Sequence, residues 1–126
     1  MSRIILIGFD ISTLVSSVFG FPYIKNGRMV SGSKEDLGII GFRWDWPVLQ
    51  RMEIIVSKTD LFETVAMLKA GGALQINSHL FKAIRIMNGV PISGKELTTD
   101  SNPLELGLKD LISFNKGCYV GQEVIA

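Results

Sequence analysis

The chain carries a single cysteine and a single histidine in 126 residues. Cys118 therefore cannot close an intrachain disulfide, and no Cys/His spacing suggests a zinc site, so no metal centre is expected. A reducing compartment suits such a chain: the cytoplasm, or the mitochondrial matrix in a eukaryote. An excess of charge of one sign is also missing. Thirteen Lys and Arg stand against twelve Asp and Glu, a net charge of +1, without the basic surplus that neutralising a phosphate backbone requires. Nucleic acid is not an expected ligand. Long apolar runs are lacking too, because Ile4 to Phe9 is too short to span a bilayer and leads into Asp10 without a small-residue cleavage site. Neither a membrane span nor a signal peptide is expected. The turn Gly8-Phe9-Asp10 has no G-x-G-x-x-G or P-loop pattern, which removes the usual phosphate cradle. There is no internal repeat and no low-complexity tract.

What is present is the profile of a globular chain, with 47% hydrophobic and 20% charged residues. One core fits this length. The isoleucine-rich run Ile4 to Phe9 predicts a buried strand, and Asp10 then caps a helix with apolar positions Ile11, Leu14, Val15, Val18 and Phe19, stopped by Gly20. Asn26-Gly27 predicts a type I′ hairpin turn between 23–25 and 28–30. Ser31 to Asp36 reads as a polar loop, and 37–43 and 51–57 as strands joined irregularly through Trp44-Asp45-Trp46-Pro47. Leu61, Phe62, Val65 and Leu68 mark the stripe of a second helix ended by Gly71-Gly72, and 73–76 offers an edge strand. A third helix, capped by Asn77 or Ser78 and carrying Leu80, Phe81, Ile84 and Met87, ends at Asn88-Gly89 before Pro91. The expected fold class is α+β: a largely antiparallel sheet, two to three packed helices and an irregular C-terminal arm. Residues 1–90 form the α+β domain, and 91–126 are an extended arm of the same unit.

That arm ends in the most distinctive segment, Lys116-Gly117-Cys118-Tyr119-Val120-Gly121-Gln122-Glu123. Gly117 and Gly121 permit tight turns that bring backbone N–H groups close to a ligand or a strand. Lys116 favours the thiolate of Cys118 if the two side chains face one another, which would make Cys118 a nucleophile, a redox-active thiol or a soft-metal contact. Gln122 and Glu123 supply an amide and a carboxylate able to pair with an amino-pyrimidinone edge, and Tyr119 a stacking face. The plainer reading is a buried cysteine acting as a small hydrophobe, solvated Lys116 and Glu123, and glycines that only shape a turn.

The segment resembles the K-G-C-Y-x-G-Q-E signature of the YgfZ-type folate-binding family, within the superfamily of the glycine cleavage T-protein. Upstream, Arg85-Ile86-Met87-Asn88-Gly89-Val90-Pro91 is similar to that family's R-I-x-A-G-I-P, and Pro103-Leu104-Glu105-Leu106-Gly107-Leu108 to its P-x-E-x-G-L. Asp45-Trp46-Pro47 followed by Arg51 loosely resembles its D-P-R turn, and the first 40 residues carry no matching motif. The resemblance implies three domains in a ring around a tetrahydrofolate cavity, with the signature cysteine near its surface. It also implies a role in maintaining or assembling iron–sulfur proteins. On that reading Cys118 is the reactive thiol, and Lys116, Tyr119, Gln122, Glu123 and Arg85 are the folate-binding candidates. Iron–sulfur proteins or their assembly factors are the implied partners. The chain would be a middle portion of such a protein, without the C-terminal barrel, and weak or no folate binding is expected of it alone.

Aminomethyltransferases of the same superfamily carry a glutamate in R-x-E-A-G that contacts the pterin; here the position is Met87, which cannot supply a carboxylate. Met87 is expected as a core residue of its helix. His79, at the start of that helix, is expected to be structural. Arg85 faces either a cavity or solvent. A folate-dependent aminomethyltransferase and a non-catalytic interaction domain are the two alternatives to an accessory factor.

Overall fold

The computed structural model describes residues 1–34, 36–114 and 117. It divides into two compact units, Met1–Phe81 and Lys82–Ala126.

The first unit is built on four strands, β1 (Ser2–Gly8), β2 (Met29–Lys34), β3 (Leu37–Arg43) and β4 (Gln50–Val56), in the order β1-β4-β3-β2, with every pairing antiparallel. Two helices, α1 (Ile11–Phe19) and α2 (Leu61–Ala70), complete it. This is the α+β architecture with an antiparallel sheet that the sequence predicts. Period-2 alternation sets the core face: Leu37, Ile39, Gly41 and Arg43 of β3 and Met52, Ile54 and Val56 of β4 are buried, and the residues between them are not. Onto this face pack Val15, Val18 and Phe19 of α1 and Leu68 of α2. The two helices approach closely at Gly71, where a Cβ would lie 2.5 Å from a Val18 methyl. The other sheet face carries half-buried Ile40, Phe42 and Ile55, with Glu53 paired to both Arg3 and Arg51.

Two side chains tie the connection from α1 to β2 to this frame. The fully buried Ser12 hydroxyl accepts the Ile24 N–H at 2.7 Å and donates to the Ile24 carbonyl at 3.1 Å. Arg43, at the end of β3, donates to the Ile24 carbonyl at 2.7 Å and to the Tyr23 hydroxyl at 3.1 Å, and grips Asp45 through Nε and Nη2. That carboxylate raises the guanidinium pKa further above its ordinary value. Asp45 also accepts the Arg51 N–H at 3.3 Å, so the irregular Trp44–Leu49 connection is fixed from inside.

Four expectations are corrected. Residues 23–25 form no strand; the turn at Asn26-Gly27 exists, but positive φ occurs at Gly27 alone, which is not type I′. The hairpin instead joins β2 to β3 through Asp36 at φ 66. Serine-rich Met29–Lys34 is a strand because it is a polar sheet edge, and Gly32 leaves room for Phe21, whose ring a Cβ would meet at 2.6 Å. Phe62 is 86% exposed, since Thr64 and Leu68 take the inward positions of α2. Residues 73–76 make no ladder.

α3 (Ser78–Met87) begins in the first unit and ends in the second. Asn77 caps it, its Oδ1 accepting the Leu80 N–H at 2.9 Å. The second unit continues as turns, with one 3-10 turn at Lys109–Leu111.

Candidate functional site

Within the second unit, α3 ends on a Schellman motif. The Val90 N–H reaches the Arg85 carbonyl at 3.2 Å and the Gly89 N–H the Ile86 carbonyl at 2.9 Å, with Gly89 at φ 64. A residue with a Cβ is strained at that φ, which explains the glycine. The reversal turns the chain at Val90-Pro91 back past the helix it has just left.

Arg85 holds the reversed chain in place. On the inward side of α3 with Ile84 and Asn88, it is only 3% exposed, although an arginine is rarely buried without a partner. Its Nη1 donates to the Val90 carbonyl and to Glu96 Oε2 at 3.2 Å, and its Nη2 donates to Glu96 Oε1 at 3.1 Å. This is a two-pronged grip on one carboxylate. Glu96 Oε2 also accepts the Ile92 N–H at 3.1 Å. The Arg85 guanidinium first, and the Ile92 N–H second, hold the Glu96 carboxyl down to about 2. Glu96 is itself positioned by Ser101, whose hydroxyl donates to the Glu96 carbonyl at 2.6 Å and accepts the Thr98 N–H at 3.0 Å. The loop from Asn88 to Ser101 is thus closed around one ion pair.

Beyond it, Asn102 Oδ1 accepts the Leu104 N–H at 2.9 Å, and the Leu108 N–H reaches the Pro103 carbonyl at 2.9 Å, so Pro103 to Leu108 folds as a compact turn. Between this turn and the Arg85 loop lies a cleft of about 280 Å³, bordered by Arg85, Gly89, Pro91, Glu96, Glu105 and Leu106. It sits below the range of roughly 300–1,000 Å³ typical of small-molecule sites. Two carboxylates and one already paired guanidinium make its rim anionic.

Of the candidate thiol and folate-binding residues, Arg85 is the one whose placement is described, and its charge is committed to Glu96. Lys116, Cys118, Tyr119, Gln122 and Glu123 lie outside the described residues. Met87 is 84% exposed, not a core residue, because Ile84, Arg85 and Asn88 occupy the inward side of the helix. His79 is exposed in the first turn of α3. Sequence reasoning missed Glu96. The available signal was that a buried arginine needs a carboxylate, and Glu96 is the first acid after Arg85. Among the described residues no three His, Cys, Asp or Glu side chains are grouped to hold a metal, and no helix is long and apolar enough to cross a membrane.

No family model matches the chain, and no solved structure matches it. A chloroplastic protein of Arabidopsis thaliana bearing the name "putative transferase" is 48% identical over 59 residues, a stretch that covers 47% of this chain and 14% of that protein. The chain therefore spans a small part of that relative, and its similarity to known proteins is similarity to a segment of a protein named as a transferase.

Proposed function

We propose that the chain is part of a tetrahydrofolate-binding accessory protein that serves the assembly or repair of iron–sulfur proteins, with Cys118 as its reactive thiol. The observation that carries this reading is the segment Lys116 to Glu123, which matches the YgfZ-type signature at every specified position and comes after two further motifs of that family in order. The relative named as a transferase is compatible with a superfamily in which some members transfer one-carbon units on folate. Two of the motifs have definite physical roles here: the first supplies Arg85 and the Gly89 reversal, and the second the turn that walls the cleft.

The chemistry of Cys118 is set by its neighbours in sequence. Lys116, two residues away, favours the thiolate if the two side chains face one another, and glycines at 117 and 121 permit tight turns that bring backbone N–H groups close to a ligand. Gln122, Glu123 and Tyr119 supply the amide, carboxylate and ring that a pterin edge and face need. The cleft beside Arg85 is too small to enclose a folate, so a folate held there requires walls from residues beyond those that border it.

The relative's name favours a second reading, a folate-dependent aminomethyltransferase. Against it stands Met87 where those enzymes place a glutamate, since a thioether holds no charge and lacks a carboxylate's two acceptor oxygens. The deciding experiment uses the full-length protein. Saturable tetrahydrofolate binding without methylene transfer, and loss of iron–sulfur enzyme activity in cells carrying Cys118→Ala, are the expected results. Methylene transfer at enzymatic rates would establish the transferase instead. Absence of folate binding together with full cellular activity of Cys118→Ala would leave an interaction domain.

A further inference from the structure

The strand β1 closes the sheet on one side, so the half of its N–H and C=O groups that points away from β4 makes no backbone hydrogen bond among the described residues. A cavity of about 450 Å³ runs beside it. Arg3, Ile4, Ile5 and Leu6 all border this cavity. Successive side chains of a strand point to opposite faces, so four consecutive residues line one cavity only when it runs along the strand's edge. The opposite wall is one side of α2, where Leu61, Val65, Leu68 and Lys69 stand about a turn apart.

Natural edges are blunted by proline, by bulges, by very short strands, by charged side chains or by a covering helix or loop. β1 is a full-length strand without proline or bulge: it pairs without interruption from Ser2 to Gly8, and Arg3 is its one charged residue. Residues 73–76 border the same cavity without pairing to β1, so the edge is flanked and left open. Its lining is apolar apart from Gln75 and two cations, Arg3 and Lys69. Glu53 lies 3.5 Å from Arg3 but is shared with Arg51, which leaves the positive charge in excess.

We propose that the β1 edge is a docking site for an extended apolar peptide segment bearing a carboxylate, which adds to the sheet as a fifth strand. The four bordering residues of β1 offer about 13 Å of repeating donors and acceptors, a pattern that an extended backbone matches and a compact small molecule does not. On the α2 side of the strand a carboxylate is drawn to Lys69, and on the other face to Arg3. A second copy of the chain is the poorer occupant, because pairing β1 with itself brings the two Arg3 side chains into one interface without an added acid.

The test uses the whole 126-residue chain and a labelled probe peptide, Asp-Val-Thr-Val-Thr-Val, acetylated and amidated. Fluorescence anisotropy is expected to show saturable binding at sub-millimolar protein, and amide exchange of residues 2–8 is expected to slow when the probe is present. Methylating alternate backbone nitrogens of the probe should abolish binding. The double variant Arg3→Glu/Lys69→Glu, at two solvent-facing positions, should bind the acidic probe about tenfold less and a Lys-bearing probe more, with an unchanged circular dichroism spectrum. The proposal is overturned if no saturable binding occurs, if the methylated probe binds equally well, or if sedimentation shows the chain pairing with itself through β1 and refusing the probe.

Discussion

Each of the two units buries one arginine, and the surroundings of the two differ in kind. Arg43 ends a strand whose backbone is already paired on both sides, and it adds Tyr23, Ile24 and Asp45 to a frame held by ladders and by an apolar core. Arg85 ends a helix and faces a loop that has one isolated bridge, Ser93 to Leu97, and otherwise turns. In the first unit the charge refines a structure that hydrophobic burial has made; among the described residues of the second it takes the place of an apolar core. A buried guanidinium is costly in both places, and in both it persists because a carboxylate and a backbone carbonyl share it.

The comparison can be broken most strongly at Arg43. Arg43→Leu leaves the Ile24 carbonyl with the Ser12 hydroxyl alone and the Asp45 carboxylate with no cation and only the Arg51 N–H, and a loss of about 3 kcal/mol is expected in urea unfolding monitored by tryptophan fluorescence. A loss under about 0.5 kcal/mol would mean that the frame holds without its arginine.

Gly89→Ala comes next. At φ 64 the added Cβ is strained by about 1 kcal/mol or somewhat more, although it would meet no neighbouring atom. Amide exchange should quicken at Val90 and Ile92 while residues 50–56 are unaffected. Equal quickening in both stretches would show that the units do not open independently.

Glu96→Gln removes one charge from the second grip and keeps its shape. The expected result is severalfold faster exchange at Ile92, whose N–H loses a charged acceptor. Acid should act on the wild-type chain in the same place, and the sign is fixed. Because the folded-state carboxyl is held down to about 2 from an ordinary 4.5, its stabilising effect is complete above the ordinary value and is lost as pH falls from there towards 2. Protection at Ile92 should fall across that window, and in Glu96→Gln this pH response should be gone.

The smallest effect is expected at Met87. Because its side chain is 84% exposed, Met87→Glu should change stability by no more than about 0.5 kcal/mol. It also restores the carboxylate of the aminomethyltransferase pattern, so in the full-length protein it sharpens the choice between the two folate readings.

The first unit was largely legible in the sequence, and the second was not, for one reason. Alternation in Leu37 to Arg43 and the helical spacing of Ile11, Val15 and Val18 encode burial against a sheet, so β3 and α1 fall where the pattern puts them. β2 escaped because an edge strand needs no apolar face: its serines and glycine look like a loop until β3 pairs with them. Phe62 misled the reading of α2 because one apolar residue cannot reveal which side of a helix is covered. In the second unit the organising contact is between Arg85 and Glu96, and an ion pair eleven residues apart has no periodicity to read. Gly89 and Pro91 announced the turn and left unsaid what held it closed.

Ser12 couples the first turn of α1 to the connection that follows the helix. Ile24 belongs to no strand, yet it is buried at 1% exposure with its N–H and carbonyl both satisfied by one hydroxyl of α1. The carbonyl has Arg43 as a second donor, but the N–H has that hydroxyl as its acceptor and is buried at a penalty without it. The burial of Ile24 is therefore tied to the first turn of α1 through a single side chain, and fraying that turn exposes a segment that no strand holds.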